Sequence, residues 1–289
     1  RELVAKTDAL AVRMLELAHQ EHGKLPWASL LEPAIQLAEQ GFKVSPRLHT
    51  LLGNDKFLSA DPVARAYFYG ADGKPLPVGT VLKNPEYAQV LRAIAKDGSK
   101  ALHEGPVAQA IVDKVRSHPT NPGVLSAQDL ARYQPQKRAA LCHDWNLPAN
   151  AQGMSARSYQ ICGFPPPSSG AIAVGQILGI LNHTPAATMA LGPDGLPTAD
   201  WLHFYTEASR LAFADRALYV ADPDFVQAPG GNWLNLLDNR YLQSRAQLIG
   251  QQSMKVAQAG NPAAYKVSHA PMPEQIEYGT SHIRIVDAH

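Results

Sequence analysis

Hydrophobic residues recur at helical spacing through the first half of the chain. Residues 7–23 place apolar side chains at positions 12, 14, 15, 17 and 18, and Gly23 follows as a candidate left-handed C-cap. Residues 25–41 repeat the pattern and end at Gly41. Because Pro33 falls inside this second stretch, we expect its helix to kink there or to begin after the proline. The pattern predicts a first half built of helices.

The same period continues in later stretches and is then replaced by another. Residues 84–98 and 105–118 predict two amphipathic helices, and residues 198–225 carry the longest helix pattern, which the sequence ADPDF ends. Residues 138–145 and 157–164 fit strands that a polar loop separates. We therefore expect helices and a strand pair in one chain.

Serines stand at two of the predicted helix starts. Ser126 precedes a short helix, and Ser168 or Ser169 follows a triple proline and precedes a long apolar helix. The sequence PSSG is not a GxSxG nucleophile elbow, because no glycine stands two residues before either serine. We interpret these serines as helix caps.

Composition and charge exclude several classes of function. The 289 residues are 45% hydrophobic and 18% charged, with a formal net charge of +1. No run of five like charges occurs, so neither nucleic acid nor an anionic membrane surface is an expected partner. No apolar stretch approaches the roughly 18–20 residues that a membrane span needs.

Two cysteines, Cys142 and Cys162, lie in the two predicted strands. They lack CxxC spacing, which excludes a zinc ribbon and a disulfide-dense scaffold. We expect two buried thiols, and a disulfide remains possible if the compartment is oxidising.

Most other polar clusters have a structural interpretation. No HExxH or similar pair occurs among the eleven histidines, so we predict no metal site. Asp222 and Asp224 predict an Asx-type turn after a helix. A last group lies at spacings of three to five on one helix and predicts ordinary intrahelical ion pairs: Glu207, Arg210, Asp215 and Arg216.

Apolar and polar residues alternate in residues 280–289 without forming a clean amphipathic face, as in a strand that is covered on both sides. Gly279 precedes them. If the bond between Gly279 and Thr280 is cut, Thr280 gains an α-amine with a pKa of about 8, which can act as general base for its own hydroxyl. These residues alone favour the simpler interpretation, a β-branched residue that begins a strand.

Five stretches together resemble the large subunit of the γ-glutamyltransferases, also called γ-glutamyl transpeptidases. Residues 163–182, with the sequence PPPSSG, and residues 208–225, with AFADR and DPDF, are the most specific pair. The other stretches that resemble the family are residues 19–45, 96–112 and 125–138. They occur in family order and at family spacing, and the resemblance covers most of residues 12–289.

The resemblance implies an enzyme, an N-terminal nucleophile hydrolase that is made as an inactive precursor and needs no cofactor. The sequence TSH at 280–282 matches the family motif, so Thr280 is implied to attack the carbonyl of Gly279 and release a new N-terminus. A glycine allows the strained backbone that this attack requires. Freed Thr280 would then attack a γ-glutamyl amide such as glutathione, and water or an acceptor amine would resolve the γ-glutamyl-enzyme.

An R-E pair near the start of the family's site presents an arginine to the substrate carboxylate, and Arg1-Glu2 is the corresponding candidate. A planar guanidinium suits a bidentate grip on a carboxylate. The chain departs from the family pattern here, since the GxPG turn that usually follows the pair is absent. It also departs at Ala171, where a second glycine is usual.

The resemblance also implies an α/β (α+β) fold, the four-layer αββα sandwich, of which this chain holds mostly the helix-rich part. Residues 1–279 correspond to the large subunit and residues 280–289 to the first strand of the small subunit. The two central sheets need strands from both subunits, so we expect exposed sheet edges and a longer protein around this chain. Continuity across residues 279–280 implies an unprocessed copy.

Three functions compete. The first is a γ-glutamyltransferase and glutathione hydrolase precursor that pairs with its own small subunit after cleavage. The second is a cephalosporin (glutaryl) acylase, which shares these motifs, and the third is an unprocessed, non-catalytic homologue. Because family members are usually exported, the resemblance implies a periplasmic or extracellular location.

Overall fold

The computed structural model describes residues 2–149 and 155–264. The chain divides between Gln136 and Lys137 into two compact units. The predicted boundary between residues 279 and 280 lies outside the described residues and stays a prediction.

The first unit is helical, as the pattern predicts. Its one strand pair in the described residues is short, with β1 (Phe42–Lys43) antiparallel to β2 (Val81–Leu82). Its helices are α1 (Glu2–His22), α2 (Trp27–Gln40), α3 (Pro46–Asn54), α4 (Pro62–Phe68), α5 (Pro85–Asp97), α6 (Lys100–His103), α7 (Gly105–Arg116) and α8 (Ala127–Arg132).

Helix α2 contains the proline at which a kink or a helix start was expected. It begins at Trp27 and contains Pro33, so the expectation of a start after the proline is wrong. The helix is held by its packing against α5, through Ile35 and Ala38 on one side and Leu91 and Ile94 on the other. Burial of such side chains outweighs the one hydrogen bond that a proline removes.

The predicted helix ends are confirmed in part. Ser126 caps α8 in a capping box, accepting a hydrogen bond from the Asp129 N–H while the Asp129 carboxylate accepts one from the Ser126 N–H. Gly41 ends α2 with φ 98°. Gly23 does follow α1, but its φ lies outside the left-handed region, so that part of the prediction is wrong.

The described residues of the second unit combine a strand pair with three α-helices. Its elements are β3 (Leu141–Leu147), β4 (Arg157–Gly163), α9 (Gly170–Leu181), α10 (Ala199–Tyr219) and α11 (Asn239–Ala246). The core between the helices contains Ile180, Leu181, Ala208, Leu211, Leu242 and Ala246. Helix α9 comes close to α11 at Gly179, where an added Cβ would lie 2.4 Å from Cδ1 of Leu242.

Strands β3 and β4 are antiparallel, and Cys142 stands directly opposite Cys162. The two cysteines form a disulfide, so the expectation of two free buried thiols is wrong. The register explains the difference, because opposite residues of an antiparallel pair bring their Cβ atoms within disulfide reach.

The described residues contain two sheets of two strands each. Each of these strands has one edge that no other described strand pairs with. The expected exposure is present, since most of β4 is exposed to solvent. Residues 2–149 and 155–264 are rich in helices and contain few strands, and the complete αββα sandwich is not seen among them.

Candidate functional site

The predicted nucleophile Thr280, the cleavage partner Gly279 and the carboxylate-binding candidate Arg1 lie outside the described residues. Their roles therefore stay predictions. The structure does describe the chain up to Ala264, and the last described part is held against α10 by two buried carboxylates. Both carboxylates are buried, and each accepts several hydrogen bonds.

Glu207 is the first of them and is 1% exposed. Its Oε2 accepts the Met254 N–H at 2.8 Å, and its Oε1 accepts the Ser253 hydroxyl at 3.1 Å and the Arg210 guanidinium. Burial acts to raise the pKa of Glu207, but the hydrogen bonds from Met254, Ser253 and Arg210 outweigh burial, and the net pKa is lowered. The group is therefore an ionised anchor.

Asp215 is the second carboxylate and is fully buried. Its Oδ1 accepts the Gly260 N–H at 2.8 Å and lies 3.1 Å from Nη2 of Arg245. Its Oδ2 accepts the Gln176 amide at 2.9 Å and the Tyr241 hydroxyl at 2.6 Å. Burial, followed by the charge of Asp215, raises the pKa of Tyr241, so this hydroxyl stays a donor.

Two neighbouring side chains also bind the backbone of residues 258–260. The Tyr219 hydroxyl donates to the Gly260 carbonyl at 2.6 Å, and Arg245 donates to the Gln258 carbonyl at 2.7 Å. Gly260 sits so close to Tyr241 that an added Cβ would lie 2.3 Å from its hydroxyl oxygen. Every carboxylate oxygen of this network is occupied by donors, so its chemistry is that of holding a chain in place rather than accepting a proton.

The prediction of ordinary intrahelical ion pairs is correct for Glu207 with Arg210 and wrong for Asp215. The partners of Asp215 come from α9, α11 and the segment after α11, which no spacing along one helix reveals. A signal did exist in the sequence, since positions 207, 211 and 215 share one helix face and Leu211 marks that face as buried.

The PPPSSG stretch forms the entry to α9. Ser169 occupies the N-cap position, as predicted, but its side chain makes no capping hydrogen bond, so that part of the prediction is wrong. Its hydroxyl instead accepts a hydrogen bond from Nε of Arg216 at 2.8 Å. Arg216 also lies over the Phe213 ring, 5.4 Å from its centroid, so the entry to α9 is attached to α10 through this arginine.

The DPDF stretch forms the predicted Asx-type turn. The N–H of Asp224 donates to Oδ1 of Asp222 at 3.0 Å. Arg138, just before β3, binds both carboxylates, with its Nη2 2.8 Å from Asp224 and 3.8 Å from Asp222. The turn is therefore attached to the start of the strand pair.

Two absences bear on the site, and both concern residues 2–149 and 155–264. No group of three or more histidine, cysteine, aspartate or glutamate side chains there is arranged to hold a metal ion. In the same ranges, no helix combines the length and the apolar character that crossing a bilayer demands.

Comparison with known proteins gives a consistent result. The profile of a family described as gamma-glutamyltranspeptidase matches residues 9–289. The Acylase ACY 1 proenzyme of Pseudomonas sp. (strain SE83) is 36% identical over 239 residues, which cover 82% of this chain and 39% of that protein. The Glutathione hydrolase proenzyme of Escherichia coli (strain K12) is 32% identical over 235 residues, 81% of this chain and 37% of that protein.

A solved structure agrees with these relatives. The gamma-glutamyltranspeptidase of Helicobacter pylori superposes with a TM-score of 0.68 at 25% sequence identity, covering 93% of this chain and 69% of that one. The chain spans about two fifths of the length of the curated relatives that it matches.

Proposed function

The chain belongs to the gamma-glutamyltranspeptidase family, and from this premise we propose that it is the large-subunit part of a self-cleaving γ-glutamyltransferase and glutathione hydrolase precursor. One observation carries the proposal: the family match extends through residues 279–282, where the sequence GTSH supplies a hydroxyl nucleophile directly after a glycine. The proposed product of cleavage is a large subunit that ends at Gly279 and a small subunit that begins at Thr280.

Self-cleavage follows from the chemistry of this junction. The Thr280 hydroxyl attacks the Gly279 carbonyl, the peptide C–N bond breaks, and the proton goes to the departing amine, which leaves an ester. Water then hydrolyses the ester and restores the hydroxyl. The reaction frees the α-amine of Thr280, whose pKa of about 8 allows it to act as general base near neutral pH.

The same hydroxyl then carries out the transfer. Thr280 attacks the γ-carbonyl of a γ-glutamyl amide, its α-amine takes up the hydroxyl proton and passes it to the leaving amine, and a γ-glutamyl ester remains. Water completes hydrolysis, and an acceptor amine completes transfer. We assign to Arg1 the substrate α-carboxylate, which a guanidinium can grip in bidentate fashion.

The first experiment follows the full-length protein that contains this chain. On incubation, the purified protein is expected to split into two fragments, the smaller with Thr280 at its N-terminus by mass spectrometry. A Thr280→Ala variant is expected to stay whole. Cleavage of that variant at the same bond would remove Thr280 from its role, and a wild-type protein that never splits would favour the non-catalytic homologue.

A cephalosporin acylase is the second candidate, and the similarity to an acylase proenzyme favours it. A glutaryl group differs from a γ-glutamyl group by lacking the α-amino group, so a site built to bind that ammonium discriminates strongly between them. Hydrolysis of a γ-glutamyl anilide without hydrolysis of a glutaryl-cephalosporin supports the transferase, and the reverse supports the acylase.

We propose export to the periplasm or outside the cell. The disulfide between Cys142 and Cys162 supports this location, because structural disulfides persist mainly in oxidising compartments. Fractionation of cells that produce the full-length protein tests it, and retention of all activity in the cytosol contradicts it.

A further inference from the structure

The segment from Ser253 to Gly260, here called the anchored segment, follows α11 and precedes the proposed scissile bond. It contains no helix or strand, and Lys255 has φ 57°, a left-handed conformation that costs a residue other than glycine free energy. The Val256 N–H closes a tight turn on the Met254 carbonyl at 2.6 Å. Such a conformation persists only where surrounding contacts impose it.

Two carboxylates of helix α10 impose this conformation by accepting hydrogen bonds from backbone N–H groups near both ends of the segment. At the start, Glu207 accepts the Met254 N–H, and at the end Asp215 accepts the Gly260 N–H, both at 2.8 Å. The two carboxylates are about two helical turns apart, or about 12 Å along the axis. Because both are buried and charged, their hydrogen bonds to the segment are among the stronger kind.

The anchored segment is joined to Thr280 by peptide bonds only before cleavage. From position 260 to position 279 the chain advances nineteen residues, and cleavage after Gly279 leaves the anchored segment on one subunit and Thr280 on the other. Any force that the anchor exerts on the junction through the chain therefore exists in the precursor and ends with its cleavage. Fixing the near end of a connection also lowers the entropy cost of bringing its far end to one place.

We propose that Glu207 and Asp215 are positioning residues for self-cleavage, which hold the anchored segment on α10 so that the Gly279–Thr280 bond is presented for attack. This inference rests on the proposed function. It assigns the two carboxylates to maturation of the precursor and leaves turnover by the mature enzyme to other residues.

The test compares two carboxylate-to-amide variants of the same helix in the full-length precursor. Glu207→Gln keeps the size of the side chain but removes its charge. It also replaces one carboxylate oxygen with an NH2 group, which cannot accept the hydrogen bonds that the oxygen received. Asp200→Asn is the matched control, an exposed carboxylate in the first turn of α10. The first-order rate of cleavage is followed by gel densitometry from the folded, purified precursor, so that a lower yield does not count as a lower rate.

Glu207→Gln is expected to slow cleavage about tenfold or more, since losing charge-assisted hydrogen bonds lowers the anchored population by roughly that factor. Asp200→Asn is expected to match wild type. Once each protein is fully cleaved, kcat and KM for a γ-glutamyl anilide are expected to be equal in all three. This split between cleavage and turnover is what a merely structural role does not produce.

Other outcomes overturn the inference. Equal cleavage rates for Glu207→Gln and wild type overturn the positioning role of the anchored segment, and a parallel loss of turnover in the cleaved variant assigns Glu207 to the mature enzyme instead. If Glu207→Gln does not fold, Ser253→Ala removes a hydroxyl that donates to Glu207 and accepts from Arg210 and the Lys255 N–H, and an unchanged cleavage rate there overturns the positioning role. A wild-type precursor that stays whole overturns the proposed function itself and the positioning role with it.

Discussion

Arg245 and Asp215 form an ion pair that solvent scarcely reaches. Nη2 of the arginine lies 3.1 Å from Oδ1 of the aspartate, and their side chains are 5% and 0% exposed. The pair joins α11 to α10, and the same nitrogen of Arg245 donates to the Gln258 carbonyl. Because both charged groups are buried, each needs the other to compensate for the hydration that it has lost.

Replacing Arg245 with Met is expected to destabilise the protein by about 3–5 kcal/mol, because it leaves the charge of Asp215 buried with neutral donors alone. Urea unfolding in a Thr280→Ala background, which the proposed function expects to stay whole, measures the loss. The control is Arg92→Met, which removes an exposed pair with Glu39 and is expected to cost much less, because solvent screens an exposed pair. A loss at Arg245 no larger than at Arg92 contradicts the prediction.

Gly179→Ala is expected to destabilise the second unit by about 1–3 kcal/mol, because the new methyl group would overpack the contact between α9 and α11. The ideal Cβ lies 2.4 Å from Cδ1 of Leu242, a buried side chain. Shortening the neighbour with Leu242→Val is expected to cost less in the Gly179→Ala background than in wild type. Thermal unfolding of the four proteins of this cycle measures the coupling.

Gly170 offers a control on the same helix. An added Cβ there meets no atom within 4 Å, and its φ is not in the left-handed region. Gly170→Ala is therefore expected to be neutral or to stabilise by up to about 1 kcal/mol, since it removes backbone freedom from the unfolded chain. A Gly179→Ala variant no less stable than Gly170→Ala would show that the contact with Leu242 does not decide the result.

The helices could be predicted because their causes are local. The spacing of apolar residues sets which face is buried, and Ser126 and Gly41 mark ends through groups within three or four residues of them. The Asx turn at Asp222 is equally local. The groups that form these caps and turns are close together in the sequence, so they can be recognised without any knowledge of tertiary contacts.

The errors share the opposite cause. Ser169 and Arg216 are 47 residues apart, and Asp215 and Gly260 are 45 residues apart, so neither contact leaves a periodic signal. Pro33 stays inside α2 because α5 packs on that helix, which is a tertiary effect. The disulfide depends on the register between β3 and β4, which the sequence of either strand leaves open.

Reduction of the disulfide between Cys142 and Cys162 is expected to destabilise the second unit by about 3 kcal/mol, because the bond closes a loop of about 20 residues in the unfolded chain. Thermal unfolding with and without a dithiol measures the effect. A Cys142→Ser, Cys162→Ser double variant is expected to be about as stable as the reduced wild-type protein, whether or not the dithiol is present. A wild-type protein whose unfolding the dithiol leaves unchanged contradicts the prediction.

His143 on β3 is set against α9 in a site that disfavours its charged form. Both ring nitrogens are buried without a hydrogen-bond partner among the described residues, and the ring comes within 2.8 Å of where a Cβ on Gly175 would be. Burial lowers the pKa of His143, and the nearby charge of Asp144 acts weakly the other way. The folded protein therefore holds this imidazole neutral at pH values where the unfolded chain protonates it.

The sign of the pH dependence follows from that difference. Below the unfolded pKa of about 6.5 the unfolded chain binds one more proton at this position, so the stability that the neutral ring contributes is present above that pH and is lost as the pH falls through it. His143→Leu removes the titrating group and is expected to flatten the fall in the free energy of unfolding between about pH 7 and pH 5 relative to wild type. Urea titrations of both proteins in the Thr280→Ala background, at half-unit pH steps, measure the difference. Parallel curves across this range would mean that His143 has the same proton affinity in the folded and unfolded chains.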